Sequence, residues 1–531
     1  MTEPQEAAHP RLAETVAILD RLVAFDTVSR NSNLPLVDWV EGFLAERGVE
    51  SHRVPDETGE KANLVATVGP SGMAGYVLSG HTDVVPVDGQ PWSADPFRLA
   101  ERGGKLYGRG TADMKGFLAC MLASVDAMRA APLALPLHLA FSHDEEVGCV
   151  GVRSLLAEMA RWEPRPLGVF VGEPGARHLE SLRTAGAAAA RGGVTTFVVQ
   201  PSTQPAIDDP AVLEYVRRRA AEVSPVRVEA MGALTRGLEG RGMSEMGFLR
   251  DAGAVAFTDA DRTVADAAVM RRAMSYARAL DALVVHHAQA PDLGARGCAT
   301  EGFFATRLGL PAAPAIAERM GVERDLALVE LTGARWCAAA ISAGAAAAAV
   351  ARAKAAGLPV FAAANVHHLT LNEFDVGDWR TFFKLDPPLR AEDDRRALVE
   401  AVAEGAVDVI RSGHTPQDEE TKRVPFEQAA AGAVGLETLL PAALQLVHGG
   451  ALSLPRLWRR LSLGPARLLG LESGRLAVGA PADLVLFDPD APFVLDRFAL
   501  ASRSRNTPYD GRRMQGRVRA TWVAGREVWR A

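Results

Sequence analysis

The chain has 531 residues, of which 48% are hydrophobic, 23% charged and 6% aromatic. This is the composition of a folded globular protein with enough material for roughly two to four domains. A formal net charge of −7 excludes nucleic acid as a main partner, because phosphate binding requires concentrated lysine and arginine. The four cysteines form no Cys-x-x-Cys pair, the N-terminus has no secretory pattern and no apolar run is long enough to span a bilayer. We therefore expect a cytoplasmic protein without a membrane segment.

Two amphipathic helices are predicted at the start of the chain, over residues 11–25 and 34–47, from apolar residues at helical spacing. Short apolar runs then alternate with helix-like segments, and this alternation predicts an α/β sheet. The runs that predict its strands cover residues 63–68, 76–78, 137–141 and 169–171. In such sheets ligands bind at the carboxyl ends of the strands.

Polar side chains follow these strands directly. The candidates are His81 and Asp83 after one strand, Asp113 before a helix, Glu145 and Glu146 after the next strand, and Glu173 after the last. One carboxylate at such a position is more often a helix cap or a surface residue, but several together favour a metal site. An imidazole with carboxylate oxygens suits zinc or another divalent ion, and two such ions can share a bridging carboxylate.

These motifs resemble the acetylornithine deacetylase / succinyl-diaminopimelate desuccinylase family of metallohydrolases. The resemblance covers about residues 10–174 and rests on Gly80-His81-Thr82-Asp83, on the run Gly-Arg-Gly-Thr-Ala-Asp-Met-Lys-Gly at 108–116, on Asp144-Glu145-Glu146 and on Gly172-Glu173-Pro174. It implies up to two zinc or other divalent ions. His81 and Glu173 would bind one ion, Glu146 would bind the other, and Asp113 would bridge them. Asp83 would orient His81, and Glu145 would be the general base. The family's lid domain and last histidine ligand have no match after residue 175, so we expect an incomplete site.

From His178 onward the pattern changes to repeated helix-then-strand units. The predicted strands cover residues 194–200, 226–231, 254–258, 282–287, 327–330, 359–363 and 407–412. About seven such units favour a closed barrel over an open sheet. Residues 474–531 alternate like short antiparallel strands, which predicts a separate small β domain.

This second part resembles the dihydroorotases of the metal-dependent amidohydrolase superfamily. The resemblance covers about residues 173–531 through motifs that include Glu173-Pro174-Gly175, His367-His368-Leu369-Thr370-Leu371, Val434-Gly435-Leu436-Glu437-Thr438 and Gly479-Ala480-Pro481-Ala482-Asp483-Leu484. It implies a (β/α)8 TIM-type barrel with a small C-terminal β domain. The predicted domains are a truncated acetylornithine-deacetylase-like domain at 1–166, a dihydroorotase-like barrel at 167–473 and the β domain at 474–531.

Several of the barrel family's metal positions carry the wrong residues. The family's His-x-His pair falls on Gly168 and Phe170, a later histidine on Ala340 and the catalytic aspartate on Gly413. Asp259, His287 and His414 remain as weaker ligand candidates. Alanine and glycine side chains can neither bind a metal nor accept a proton, so an inactive barrel is predicted.

Both families place a strand before the Glu-Pro turn, so residues 168–172 can serve only one of two sheets. We predict that the barrel takes this strand and closes with eight, because a gap would leave backbone groups unpaired.

Three functions remain open on the sequence. The first is a metal-dependent hydrolase of amide C–N bonds in small amino-acid or pyrimidine-pathway metabolites, with impaired activity. The second is a noncatalytic dihydroorotase-like scaffold partner of aspartate transcarbamoylase. The third is a joining of two genes without an evolved function. A homo-oligomer is compatible with each.

Overall fold

The computed structural model describes residues 10–90, 92–171, 179–294 and 297–531. The chain divides into two compact units, Met1–Gly175 and Ala176–Ala531. No helix within the described ranges is both long enough and apolar enough to cross a membrane.

The first unit is built around a five-stranded sheet. Its helices are α1 (Leu12–Val23), α2 (Leu34–Glu46), α3 (Lys115–Leu122), α4 (Val125–Ala130) and α5 (Val152–Met159). Its strands are β1 (Ser51–Pro55), β2 (Ala62–Val68), β3 (Tyr76–His81), β4 (Ala100–Arg102), β5 (Lys105–Tyr107), β6 (Leu137–Ser142) and β7 (Gly168–Val171). The sheet order is β1-β2-β6-β3-β7, in which β6, β3 and β7 run parallel and β1 and β2 pair antiparallel.

The apolar stripes predicted for the first two helices face this sheet. Leu22 of α1 and Leu36 of α2 are fully buried in one cluster with Leu118 of α3 and Leu64 of β2, and each such side chain contributes about 1.5–3 kcal/mol by leaving water. The helix α3 lies so close to β3 that a Cβ atom at Gly80 would come within 2.6 Å of Leu118 Cδ2. A glycine here brings the start of α3 close to the end of β3, where the site forms.

The disputed strand β7 belongs to this first sheet, so the prediction that it joins the barrel was wrong. Its residues pair parallel with β3, from Tyr76 beside Gly168 to Ser79 beside Val171. The prediction considered only the backbone groups that the barrel would leave unpaired. The same cost applies to β3, because without β7 the strand that carries His81 would itself be an edge.

The second unit opens with alternating helices and parallel strands. Its helices up to residue 355 are α6 (Leu182–Arg191), α7 (Pro210–Val223), α8 (Met246–Asp251), α9 (Ala267–Ala279), α10 (Pro291–Gly294), α11 (Phe303–Leu308), α12 (Ala315–Thr332) and α13 (Gly344–Ala355). The strands up to the same point are β8 (Thr196–Val199), β9 (Arg227–Ala230), β10 (Gly232–Ala233), β11 (Phe257–Thr258), β12 (Leu283–His286), β13 (Ala299–Thr300), β14 (Ala312–Ala313) and β15 (Arg335–Ala338).

The remainder of this unit contains the last parallel strands of the barrel and an antiparallel sheet. The helices are α14 (Val366–Thr370), α15 (Glu392–Glu404), α16 (Glu419–Lys422), α17 (Leu439–His448), α18 (Leu454–Trp458) and α19 (Gly464–Leu468). The strands are β16 (Val360–Asn365), β17 (Val409–Arg411), β18 (Leu484–Val494), β19 (Arg513–Val523) and β20 (Arg526–Arg530). The last three form one antiparallel sheet, which confirms the antiparallel strands predicted there.

The parallel strands of the barrel occupy seven consecutive positions rather than the predicted eight. The strand β8 pairs with β9, and a six-stranded sheet continues as β10-β11-β12-β15-β16-β17. The strands β9 and β10 count as one position, because only Met231 separates them. The Met231 amide donates to the backbone oxygen of Val199 in β8, and the Gly232 amide donates to that of Ala256, just before β11. Within the described ranges no strand pairs with both β17 and β8, the two end strands of this series. The strand β7 comes just before β8 in the chain, so it is the strand that would have filled this gap.

One predicted barrel strand was also wrong. Residues 327–330 lie inside α12, which Gly333 ends in a left-handed conformation, and the strand at this point is β15. A run of only four residues fits both the helical and the strand periodicity. Here the residues on both sides belong to a long helix, so the run is helical as well.

Candidate metal centre

Three predicted ligands lie together at one edge of the first sheet. His81 ends β3, Glu146 lies in the loop after β6, and Asp113 lies just before α3. One ligand atom from each of the three lies within 4.8 Å of the others, and the described part of the chain holds no other group of three histidine, cysteine or acidic side chains that could bind a metal. His81 Nε2 is 3.1 Å from Asp113 Oδ1. The predicted convergence at the strand ends is therefore present.

Asp83 lies behind this cluster and connects its parts. His81 Nδ1 is 2.9 Å from the backbone oxygen of Asp83 and 3.4 Å from its carboxylate. The same carboxylate accepts hydrogen bonds from the backbone amides of Glu145, at 3.0 Å, and Glu146, at 3.2 Å. One buried aspartate thus contacts the imidazole that faces the ligand cluster and both residues of the Glu-Glu pair.

The pKa values of the acids in the cluster show a concentration of negative charge. Burial and the neighbouring Asp113 carboxylate raise the pKa of Glu146 above its usual value. Burial alone would also raise the pKa of Asp83, but hydrogen bonds from His81, Ser29 and the Glu145 amide outweigh it and lower that pKa. A divalent cation would relieve the repulsion at Glu146. One imidazole nitrogen with two carboxylate oxygens is a donor set that suits zinc, so these residues fit the metal implied by the sequence.

The predicted base lies at the rim of the cluster. Glu145 Oε2 is 3.9 Å from His81 Nε2, and the Glu145 side chain is 36% exposed, so water can reach it. The thiol of Cys149 contacts the other oxygen, Oε1, at 3.3 Å. Glu173, the remaining predicted ligand, lies outside the described residues.

The second unit places its candidate residues at the carboxyl ends of barrel strands. Asp259 follows β11, His287 follows β12, and Gly413 and His414 follow β17, while Ala340 lies just beyond β15. These are the positions at which barrel enzymes carry catalytic groups. Two of the five positions therefore offer no side chain that could bind a metal.

The three ligand candidates of the barrel have separate partners in the protein. Asp259 accepts hydrogen bonds from the backbone amides of Leu234 and Thr235 and from the Thr235 hydroxyl, while burial raises its pKa. His287 Nε2 is 2.9 Å from the Gln289 side chain. His414 accepts from the amide of Gly435 through Nδ1, and its Nε2 lies 3.6 Å from Glu180 Oε2. The structure does not bring these three together as a metal-binding group.

Sequence reasoning missed two sets of residues. In the first unit, Lys61 forms an ion pair with Asp144, although 83 positions separate them. In the second unit, Glu180 accepts from Ser502 and lies beside His414. Asp144 belongs to the Asp144-Glu145-Glu146 motif, but no local pattern identifies partners at such separations.

Comparisons with known proteins match both parts of the chain. The family model for peptidase family M20/M25/M40 matches residues 77–431, and the model for the amidohydrolase family matches residues 446–529. A dihydroorotase from Anaeromyxobacter dehalogenans (strain 2CP-1) is 44% identical over 364 residues, which cover 68% of this chain and 84% of the relative. The chain belongs to peptidase family M20/M25/M40 and to the dihydroorotase family. A dihydroorotase from Pelobacter propionicus is 38% identical over 406 residues, covering 73% of this chain and 96% of the relative.

Solved structures agree with the dihydroorotase-family assignment at the level of fold. L-hydantoinase (dihydropyrimidinase) from Arthrobacter aurescens superposes with a TM-score of 0.60 at 23% identity, covering 68% of this chain and 87% of that structure. Dihydropyrimidinase from Brevibacillus agri superposes with a TM-score of 0.58 at 22% identity, covering 66% and 80%. These neighbours show the amidohydrolase barrel fold.

Proposed function

We propose that this chain is a metal-dependent hydrolase of a non-peptide amide C–N bond in a small metabolite, and that the site in the first unit performs the reaction. The observation that carries the proposal is the group formed by His81, Asp113 and Glu146, whose ligand atoms lie within 4.8 Å of one another. Glu145 lies beside the group, with Oε2 3.9 Å from His81 Nε2.

In this proposal each residue has a separate task. His81, Asp113 and Glu146 would hold up to two ions of zinc or another divalent metal, which would supply Lewis acidity toward the amide carbonyl and lower the pKa of a water molecule. Glu145 takes the proton from the attacking water and delivers it to the leaving nitrogen as the C–N bond breaks. Asp83 holds the imidazole of His81 in place. Glu173, from outside the described residues, would share one ion with His81.

The substrate class follows from the two families. The first unit resembles acetylornithine deacetylases, and the relatives of the chain are named dihydroorotases, so the candidates are an N-acylated amino acid and a cyclic pyrimidine precursor. We favour the former, because the clustered ligands are those of the first unit. We expect slow turnover, because the sequence motifs of the deacetylase-like part end at Glu173-Pro174 and the lid and last histidine are expected to be missing.

A second candidate function is that of a noncatalytic scaffold that binds aspartate transcarbamoylase. The observation that favours it lies in the barrel, where Ala340 and Gly413 stand at strand ends and Asp259 is already engaged by three donors.

Metal analysis and two assays on one preparation separate these functions. The purified full chain is analysed for zinc, manganese and iron, and the same sample is tested with N-acetylornithine and with dihydroorotate. The hydrolase proposal expects about two divalent ions per chain and slow release of acetate from N-acetylornithine that stops on chelation. A metal-free, inactive chain that co-purifies with aspartate transcarbamoylase would support the scaffold instead. Metal-dependent turnover of dihydroorotate alone would assign the activity to the barrel.

A further inference from the structure

Lys61 links two loops that meet at the metal centre. It lies just before β2, and its ammonium group contacts the backbone oxygen of Ser29 at 2.5 Å and the Oδ1 atom of Asp144 at 2.5 Å. Both charged side chains are mostly buried, at 16% exposure for Lys61 and 13% for Asp144. An ion pair that is largely withdrawn from water is costly to break, because the remaining charge loses its partner.

Both ends of this link lie beside hydrogen bonds to Asp83. The Ser29 hydroxyl donates to Asp83 Oδ2 at 2.7 Å. On the other side, Asp144 immediately precedes Glu145 and Glu146, whose amides donate to Asp83. Lys61 thereby closes a ring of contacts that runs from Ser29 through Asp83 to the Glu-Glu loop and back.

Asp144 has a backbone conformation that needs support. Its φ is +52°, a left-handed value that aspartate tolerates better than most residues but that still carries a cost. Both of its carboxylate oxygens have partners, since Oδ1 meets Lys61 and Oδ2 lies 3.1 Å from His143 Nδ1. The left-handed turn at Asp144 directs the chain from β6 toward the two glutamates, so the contacts of its side chain help to set where they lie.

We infer that Lys61 is a positioning residue for the metal centre, acting through Asp144 to hold Glu145 and Glu146 in place. The inference deepens the proposed function, and it rests on that proposal only for the roles of the two glutamates. The ammonium group of Lys61 contacts Ser29 and Asp144 rather than the ligand group, so its effect on the site is indirect.

The test combines amide exchange and zinc binding on the full chain. Lys61→Met keeps the apolar length of the side chain and removes the ammonium. In the metal-free chain we expect amide hydrogen exchange at Glu145 and Glu146 to become about tenfold faster, as for loss of one charge-assisted bond. Zinc affinity should fall by about 10- to 100-fold, the usual cost of losing an outer support of a metal ligand.

Three further variants serve as controls. Lys105→Met changes an exposed lysine of β5 and should leave exchange and zinc affinity at wild-type values. Lys61→Arg keeps the charge and should recover part of the zinc affinity. If Lys61→Met speeds exchange throughout the first unit, its effect is not local, and Asp144→Asn becomes the test of the inference. This variant removes the ion pair, while asparagine keeps the left-handed turn. It should speed exchange at Glu145 and Glu146 alone.

The outcomes separate the inference from the proposed function. Unchanged exchange at Glu145 and Glu146 in both Lys61→Met and Asp144→Asn would overturn the inference, whatever the zinc affinity. A wild-type chain that binds no zinc, together with faster local exchange in Lys61→Met, would overturn the proposed function and leave the positioning role intact.

Discussion

In the first unit, His81, Asp113 and Glu146 bring their ligand atoms within 4.8 Å of one another, whereas in the second unit Asp259, His287 and His414 each contact a different part of the protein. His81 ends a parallel strand of the first sheet and Glu146 follows another, and the three barrel residues follow parallel strands of the second unit. The fold therefore provides the place in both units, but only the first set has the spacing for a shared ion. Strand ends alone do not make a metal centre.

The pKa values of Glu146 and Asp259 are both raised, and their surroundings sharpen this contrast. The shift at Glu146 comes from burial and from nearby carboxylates, and a cation would reverse it. In the barrel, Asp259 is also buried, but three protein donors already share its charge. A carboxylate so engaged gains less from a metal than one that faces other carboxylates.

The largest expected effect comes from removing the proposed base in the first unit. Glu145→Gln keeps the size of the side chain and should reduce turnover of N-acetylornithine by about 10²- to 10⁴-fold, since the glutamine cannot take a proton. Zinc content should stay at the wild-type level, because Glu145 is not in the ligand group. The matched control is Glu101→Gln, an exposed residue of β4. Wild-type turnover in Glu145→Gln would remove this residue from the mechanism.

A smaller effect is expected when the barrel's missing aspartate is restored. Gly413→Asp introduces a Cβ that would lie 3.0 Å from Asn365 Cγ and 3.0 Å from His367 Nδ1, at a φ of +58°. We expect a loss of about 1–3 kcal/mol in unfolding free energy by denaturant titration, and no gain of dihydroorotate turnover. Gly357→Asp, with a φ of +82° in open space, shares the backbone cost without the crowding and should lose less. Restored turnover would show that the barrel lacks only this group.

The pH dependence of stability should also report on the barrel. Burial, followed by the neighbouring His368 and His414, lowers the pKa of His367 to about 3. Between that value and about pH 6.5, where an unfolded histidine titrates, the unfolded chain binds a proton that the folded chain does not. Stability therefore falls as the pH decreases through this window, by up to about 1.4 kcal/mol per pH unit for one proton.

His367→Gln should reduce this slope by about one proton, as measured by denaturant unfolding at several pH values from 4 to 7. His52→Gln changes an exposed histidine of the first unit and should leave the slope as it is. An unchanged slope in His367→Gln would mean that this histidine is protonated in the folded barrel.

The smallest effect tests where the disputed strand lies. Val169 of β7 is 54% exposed, so Val169→Thr should change the unfolding free energy by less than about 0.5 kcal/mol. Its neighbour in register, Val77 of β3, is fully buried, and Val77→Thr should cost about 1–3 kcal/mol for burying a hydroxyl. A large loss from Val169→Thr would place the strand inside a closed sheet, as the barrel prediction required.

The sequence predicted the ligand cluster because each part is local. His81 follows its own strand, Asp113 precedes its own helix, and one sheet edge collects them. The partner of β7 was not predictable in this way, because β3 and the barrel both offered an unpaired edge and only the completed sheets decide between them. The contact of Lys61 was also not predictable, because its partner Asp144 is distant in the chain.

The zinc content of two variants tests most directly the claim that the metal centre lies in the first unit. The first variant is His81→Ala. The second carries Asp259→Asn, His287→Gln and His414→Gln together, and both are purified beside the wild-type chain. We expect His81→Ala to lose most of its bound zinc and the triple variant to keep the wild-type amount. Full zinc in His81→Ala with loss in the triple variant would contradict the account and place the metal in the barrel.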